Sequence, residues 1–95
     1  MTRHEQLLTI LSEECIETAQ RVSKAIRFGL TEVQEGQPLS NAQRIVYEFN
    51  DIVAMMDMLH DEGLVEDIID QVAIAKKKAK VEKYMEYSLK LGTVS

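Results

Sequence analysis

Two clusters of carboxylates at helical spacing are the residues of this 95-residue chain most suited to chemistry. One motif is Glu13-Glu14-x-x-Glu17 and the other is Glu48-x-x-Asp51. Residues three apart on a helix are neighbours on one face, so each motif projects two carboxylates side by side. If the two helices pack together, four carboxylates surround one point, and they repel each other unless a cation lies between them. All-oxygen ligation favours Mg²⁺ or Mn²⁺ over Zn²⁺.

The surroundings of the two motifs differ. The second motif lies in Arg44–His60, which is apolar on nearly every side when wound as a helix and is therefore expected to be buried. The first motif lies in a chain with 16 acidic residues, in which Glu-x-x-Glu on a helix is usually solvated surface. A solvated surface remains the alternative for Glu14 and Glu17.

The first motif is expected on a long N-terminal helix. Thr2 and Glu5 have the spacing of a capping box, and Gly29 is a natural end. Between them, apolar residues recur every three or four positions: Leu7, Leu8, Leu11, Cys15, Ala19, Val22, Ala25 and Ile26. Because Cys15 lies on this stripe, it is expected to be a buried, unreactive thiol.

Two further helices follow a polar loop at 31–39. Ser40 and Gln43 form a second capping-box match, which predicts a helix from Asn41 to Asp61 with Gly63 as its C-terminal cap residue. The third helix is expected from Val65 to Leu89, before Gly92.

The third helix carries a row of lysines. Lys76, Lys80 and Lys83 continue the apolar stripe that begins at Ile69, and Tyr84 lies at its edge. Ammonium groups on the core-facing side, opposite a metal–carboxylate cluster, would suit the phosphates of a metal-bound nucleotide. The alternative is that the bundle ends earlier and these lysines are solvated.

The length predicts one domain over residues 1–95, an all-α bundle of about three long helices. A single copy cannot hide a helix that is apolar all round. A homodimer or homotetramer with a four-helix-bundle-like core is therefore expected. A Met-rich face of the second helix could instead bind a different protein.

The composition indicates which binding partners and which cellular compartment to expect. The net charge of −5 argues against binding a nucleic-acid polymer through bulk charge. A single cysteine allows no internal disulfide, and a reducing compartment is expected. No apolar run approaches the ~18 residues of a membrane span. The expectation is a cytoplasmic protein without a membrane partner.

The two carboxylate motifs resemble the EExxE…ExxD signature of the MazG-like all-α nucleoside triphosphate pyrophosphohydrolases, and the resemblance covers most of the chain. It implies Mg²⁺-dependent hydrolysis of a (d)NTP to the monophosphate and pyrophosphate by a dimer or tetramer, with Mn²⁺ able to substitute. It also implies a role for each matched position: metal ligands at Glu14, Glu17, Glu48 and Asp51, a water-orienting catalytic carboxylate at Glu13, and substrate contacts at Lys76, Lys80, Lys83 and Tyr84. The chain has no Trp, so stacking on a base would fall to Tyr47, Tyr84, Tyr87 or Phe28.

Two other functions fit the same sequence. One is a non-catalytic helical oligomer or adaptor that binds a partner protein through the Met-rich second helix. The other is a module that senses a nucleotide or metal without turnover. Metal-dependent release of pyrophosphate separates the enzyme from both.

Overall fold

The computed structural model describes residues 1–95 and is all-α. It contains α1 (Arg3–Phe28), α2 (Asn41–Asp61) and α3 (Gln71–Leu91). The predicted fold class, with three helices and no sheet, is confirmed. The first two helices match their predicted bounds, and the third does not.

Both predicted capping boxes are present. Thr2 Oγ1 accepts a hydrogen bond from the backbone N–H of Glu5, and the Glu5 carboxylate accepts one from the backbone N–H of Thr2. Ser40 and Gln43 make the same exchange at the start of α2. These reciprocal bonds satisfy amide groups that have no partner within the helix, which is why the two helices begin where the sequence predicts.

The end of α2 is a Schellman turn. The N–H of Gly63 donates to the carbonyl of His60, and the N–H of Leu64 donates to the carbonyl of Leu59. Gly63 has a φ of 77°, a left-handed conformation that glycine adopts without a Cβ clash. The predicted role of Gly63 in ending this helix is confirmed.

Antiparallel packing of α1 on α2 makes the core. Leu7, Met55 and Leu59 form a buried cluster, against which Leu11, Met56 and Val65 are packed. The shielded positions follow an alternating spacing of four and three residues: Leu7, Leu11, Glu14, Thr18, Arg21 and Ala25 on α1, and Asn41, Ile45, Glu48, Ile52, Met55 and Leu59 on α2. We call these two rows the seam. This spacing is that of coiled-coil-like helix pairs.

The seam is apolar at one end and polar at the other. Leu7 and Leu11 pack near the C-terminus of α2, whereas Glu14, Thr18 and Arg21 occupy the next three positions of α1. The buried Asn41 lies at the far end, where its amide donates to the carbonyl of Gly29. The polar half of the seam is therefore where the structure departs from an ordinary hydrophobic core.

The predicted apolar stripe of α1 was partly wrong. Leu8, Cys15, Ala19, Val22 and Ile26 are exposed in the protomer. Each of them follows a seam residue by one position in the sequence, so its side chain points about 100° away from the seam around the helix. Only Leu7, Leu11 and Ala25 of the predicted stripe face α2, and the prediction of a buried Cys15 thiol was wrong.

The third helix begins later than predicted. Its N-cap is Asp70, whose carboxylate accepts a hydrogen bond from the backbone N–H of Ala73. Residues 65–70 lie outside any helix, and Val65 packs against the α1–α2 core. The predicted start at Val65 was therefore wrong: this residue belongs to the core cluster, and Asp70 caps the helix instead.

No residue of α3 packs on α1 or α2. It has no buried residue, although Val72, Tyr84, Met85 and Leu89 are large and apolar. The radius of gyration is 16.8 Å, against about 12 Å for a compact domain of this length. One protomer is therefore an α-hairpin with a projecting third helix.

Candidate metal centre

Three of the predicted metal ligands lie together between α1 and α2. Glu14, Glu17 and Glu48 each offer an oxygen, and these oxygens lie within 4.8 Å of one another. Glu14 and Glu48 are half-buried in the seam, and Glu17 is exposed beside them. The two motifs, distant in sequence, form one cluster because the helices are antiparallel and pair at this level.

Asp51 lies at the edge of this cluster. It is exposed and is not one of the three residues within 4.8 Å. Its negative charge nevertheless acts on Glu14, where it contributes to raising the pKa of that carboxyl. Asp51 follows Glu48 by three residues, just as Glu17 follows Glu14, so both project to the same flank of the hairpin.

Glu14 has the least favourable environment of these carboxylates. Its Oε2 atom is shut off from solvent and has no hydrogen-bond partner. Loss of hydration is the main cause that raises the pKa of Glu14 above 4.5, followed by the negative charges of Glu17, Asp51 and Glu48. A buried carboxylate oxygen without a donor is suited to a cation. The all-oxygen set fits Mg²⁺ or Mn²⁺.

Glu13 is exposed on the same flank as Glu17. The two residues are four apart and are therefore neighbours on the helix surface. Glu13 makes no hydrogen bond or ion pair within the protomer, so its carboxylate is accessible to water. Its predicted catalytic role stays a prediction.

The predicted substrate-binding residues are elsewhere. Lys76, Lys80, Lys83 and Tyr84 are all exposed on α3, which contacts neither helix of the cluster. The Lys83 ammonium lies 5.9 Å from the centre of the Tyr84 ring, a local contact within α3. One protomer does not bring these four residues to the carboxylates, and their role in binding substrate stays a prediction.

A basic residue near the cluster was missed. Arg21 lies in the seam, two turns beyond Glu14, and its Nε and Nη1 atoms are buried without a hydrogen-bond partner. The signal was available in the sequence, because the spacing that starts at Leu7 and Leu11 continues to Glu14, Thr18 and Arg21. Glu14 and Arg21 are therefore a buried acceptor and a buried donor on one face of α1, neither of which is satisfied within the chain.

Arg21 also lines a cleft of about 160 Å³ between the second half of α1, the following loop and the start of α2. Its walls are formed by Arg21, Lys24, Phe28, Glu32, Gln34 and Asn41. The position of this cleft is fixed by Asn41, whose amide donates to the carbonyl of Gly29 at 2.8 Å and to Glu32 Oε1 at 3.2 Å.

No helix of the structure has the length and apolarity needed to cross a bilayer. No family model matches the chain, and no curated protein or solved structure is significantly similar to it. The resemblance to MazG-like enzymes therefore stays a prediction that rests on the two carboxylate motifs.

Proposed function

We propose that this protein is a Mg²⁺-dependent nucleoside triphosphate pyrophosphohydrolase, which converts a (d)NTP to the (d)NMP and pyrophosphate. The observation that carries the proposal is that Glu14, Glu17 and Glu48 each offer an oxygen within 4.8 Å of the others. In addition, the Oε2 atom of Glu14 is buried and has no hydrogen-bond partner. The carboxylates of such a cluster repel each other, and a cation between them would offset that repulsion. A divalent cation between carboxylates is also what a triphosphate requires for hydrolysis.

Each carboxylate has a distinct role in this proposal. Glu14, Glu17 and Glu48 would hold the cation, with Asp51 at the edge of the cluster. Held there, Mg²⁺ would neutralise phosphate charge and would lower the pKa of a nearby water. The exposed Glu13 orients the attacking water and accepts its proton as the new bond to the α-phosphorus forms. The bond from the α-phosphorus to the bridging oxygen breaks at the same time, and pyrophosphate departs.

The same proposal includes a homo-oligomer, because a second apolar surface lies on the hairpin. We call it the apolar face, and it consists of Leu8, Cys15, Ala19, Val22 and Ile26 of α1 with Val46, Phe49, Val53 and Met56 of α2. Each residue lies one position ahead of the seam. Moving one residue along a helix turns the side-chain direction by about 100° from the seam. Because the two helices are antiparallel, this turn points the rows of α1 and α2 to the same side of the helix pair.

This surface is suited to another copy of the same hairpin. The residues of α1 in it are all exposed, as are Val46 and Phe49 of α2, and they keep the spacing of helix-bundle contacts. Glu17 and Asp51 point to the opposite flank, since they lie three residues beyond seam positions. Two copies could therefore pair through the apolar face and leave the carboxylates open to substrate.

A metal-dependent assay tests the enzymatic proposal. Purified protein is incubated with a panel of NTPs and dNTPs, in Mg²⁺ and then in EDTA, and pyrophosphate release is measured. Release from at least one nucleotide in Mg²⁺ but not in EDTA is expected. Glu48→Gln should abolish it, and Glu82→Gln, a charge-matched change on α3, should not. Absence of release from every nucleotide would overturn the proposal and favour the adaptor or sensing function.

A further inference from the structure

We propose that the cleft around Arg21 and Lys24 is an anion site that holds phosphate groups of the ligand whose cation lies at Glu14, Glu17 and Glu48. This inference rests on the proposed function and deepens it, because it assigns the phosphates to α1 of the same chain. The predicted lysines of α3 are not needed for this assignment.

The first argument is the state of the Arg21 side chain. Its Nε and Nη1 atoms are buried and have no hydrogen-bond partner. Glu17 lies one turn earlier at the spacing of a helical ion pair, yet no ion pair joins it or any other carboxylate to Arg21. Arg21 is half-buried and lines the cleft, so an anion bound there would supply the acceptors that its guanidinium lacks.

The second argument is the charge of the cleft. Lys24 adds a second cation that likewise forms no ion pair in the protomer. Glu32 is the one acidic residue among the lining side chains, and its Oε1 atom accepts a hydrogen bond from Asn41. Two unpaired cations against one engaged carboxylate leave the cleft positive, in a chain whose net charge is −5.

The third argument is the placement of this cleft relative to the carboxylates. Arg21 is seven residues after Glu14, so the two lie on the same face of α1, about 10.5 Å apart along the axis. Lys24 follows Arg21 by three residues, as Glu17 follows Glu14, and it therefore projects to the same flank. The proposed cation site and the proposed anion site therefore lie one after the other along one flank of α1. A polyphosphate with a bound divalent cation fits this arrangement, because its metal ion complements the carboxylates and its phosphates complement Arg21 and Lys24.

Phe28 and the amide groups of Gln34 and Asn41 could also surround a nucleobase. Two observations favour phosphate. Arg21 is the lining residue whose donors lack a partner, and the Asn41 amide nitrogen is already bonded to Gly29 and Glu32. The occupant that these groups select is therefore an acceptor-rich anion.

The test is calorimetric titration of inorganic tripolyphosphate into the wild-type chain and three variants, in EDTA and in Mg²⁺. Arg21→Gln is expected to weaken binding about tenfold to a hundredfold, the effect of losing a hydrogen bond to a charged group. Lys24→Glu, at an exposed position that does not endanger folding, is expected to weaken it about tenfold. Lys78→Glu, the same reversal on α3, should leave the affinity within twofold of wild type.

Three results would overturn the anion site: no tripolyphosphate binding by the wild type, wild-type affinity in both Arg21→Gln and Lys24→Glu, or an equal loss in Lys78→Glu. Binding of an uncharged nucleoside that depends on Arg21 would also overturn it, by showing a base pocket. Circular dichroism establishes whether each variant is folded. If Arg21→Gln does not fold, the comparison of Lys24→Glu with Lys78→Glu decides the question by itself.

The two proposals fail in different ways. If tripolyphosphate binding depends on Arg21 and Lys24 but no nucleotide yields pyrophosphate, the anion site stands and the enzymatic proposal is wrong. If pyrophosphate is released and neither variant changes the KM or the tripolyphosphate affinity, the enzyme stands and the anion site is wrong. Mn²⁺ binding, measured in parallel, should be unchanged in Lys24→Glu.

Discussion

Glu14 of α1 and Glu48 of α2 face each other across the helical seam, with carboxylate oxygens within 4.8 Å and no cation from the chain between them. Both occupy positions that an ordinary helix pair fills with apolar side chains. The pair therefore weakens the metal-free fold at the place where we propose that a cation binds.

Divalent cations should stabilise the protein through this pair. A ligand that binds only the folded state at a hundred times its Kd adds about 2.7 kcal/mol of stability. We expect Mg²⁺ or Mn²⁺ to raise the thermal midpoint of the wild type and to have no effect on Glu48→Gln. Differential scanning calorimetry measures the midpoint, and Mn²⁺ titration followed by electron paramagnetic resonance measures binding. An equal rise in Glu48→Gln would show that the cation binds elsewhere.

Glu14→Gln should stabilise the metal-free protein at neutral pH. Burial and the neighbouring carboxylates raise the folded-state pKa of Glu14 above 4.5, so the folded protein holds this proton more tightly than the unfolded chain. Stability is then lost as pH rises from 4.5 through the folded-state pKa. The midpoint of the variant should exceed that of the wild type at pH 7, and the difference should vanish below about pH 4.5. Glu82→Gln is the control, and a lower midpoint for Glu14→Gln at pH 7 would contradict the prediction.

The ion pair between Arg3 and Glu62 should have the opposite pH dependence. Arg3 Nε and Nη2 each donate to Glu62 at 3.0 Å, which joins the start of α1 to the end of α2. The hydrogen bond from Arg3 is the main cause that lowers the pKa of Glu62 below 4.5; the charges of Arg3 and His4 also lower it, and partial burial opposes them.

The stability from Glu62 is therefore present above pH 4.5 and lost as pH falls through the lower folded-state pKa. Glu62→Gln should lower the thermal midpoint at pH 7 and leave it nearly unchanged near pH 2. Glu66→Gln removes a nearby exposed carboxylate as the control. Equal losses for Glu62→Gln at both pH values would refute an ionic contribution.

Asn41→Ala should destabilise the α1–α2 hairpin more than Asn50→Ala, the same substitution at an exposed position. Asn41 is 2% exposed, and without its side chain the carbonyl of Gly29 loses a donor in a partly buried site. A hydrogen bond of this kind contributes about 0.5–1.5 kcal/mol. Asn50→Ala is the matched control, because Asn50 is exposed and bonds only to Val46 one turn earlier. Urea unfolding measures both, and equal losses would show that Asn41 does not order the loop.

Disrupting the apolar face should change the mass of the protein in solution. Analytical ultracentrifugation of the wild type is expected to give a dimer or tetramer of the 10.8 kDa chain. Phe49→Glu places a charge in that face and should shift the mass toward the monomer. Ile16→Glu is the control, since Ile16 is 56% exposed but points away from both the seam and the apolar face. A monomeric wild type would contradict the predicted oligomer.

Much of this structure follows from local sequence signals. The capping boxes at Thr2 and Ser40 and the Schellman glycine Gly63 satisfy backbone groups within a few residues, so the bounds of α1 and α2 require no tertiary information. The carboxylate motifs predicted Glu14, Glu17, Glu48 and Asp51 as one cluster, because their spacing fixes the face on which each projects; the first three meet, and Asp51 lies at the edge. The Asp70 cap of α3 was also readable, although the apolar residues before it obscured that signal.

Tertiary packing decided the remainder. The stripe through Cys15, Ala19 and Val22 lies one residue away from the seam through Glu14, Thr18 and Arg21. An apolar pattern selects the wrong row because the true seam is polar along one half. Only the pairing of α1 with α2 shows which row is covered. The same pairing leaves the Glu14 oxygen and the Arg21 guanidinium buried without partners, and it leaves α3 apart from both helices. The sequence alone determined the bounds of α1 and α2 and three members of the carboxylate cluster, whereas the unsatisfied charges beside that cluster depend on which side chains a second helix shields from water.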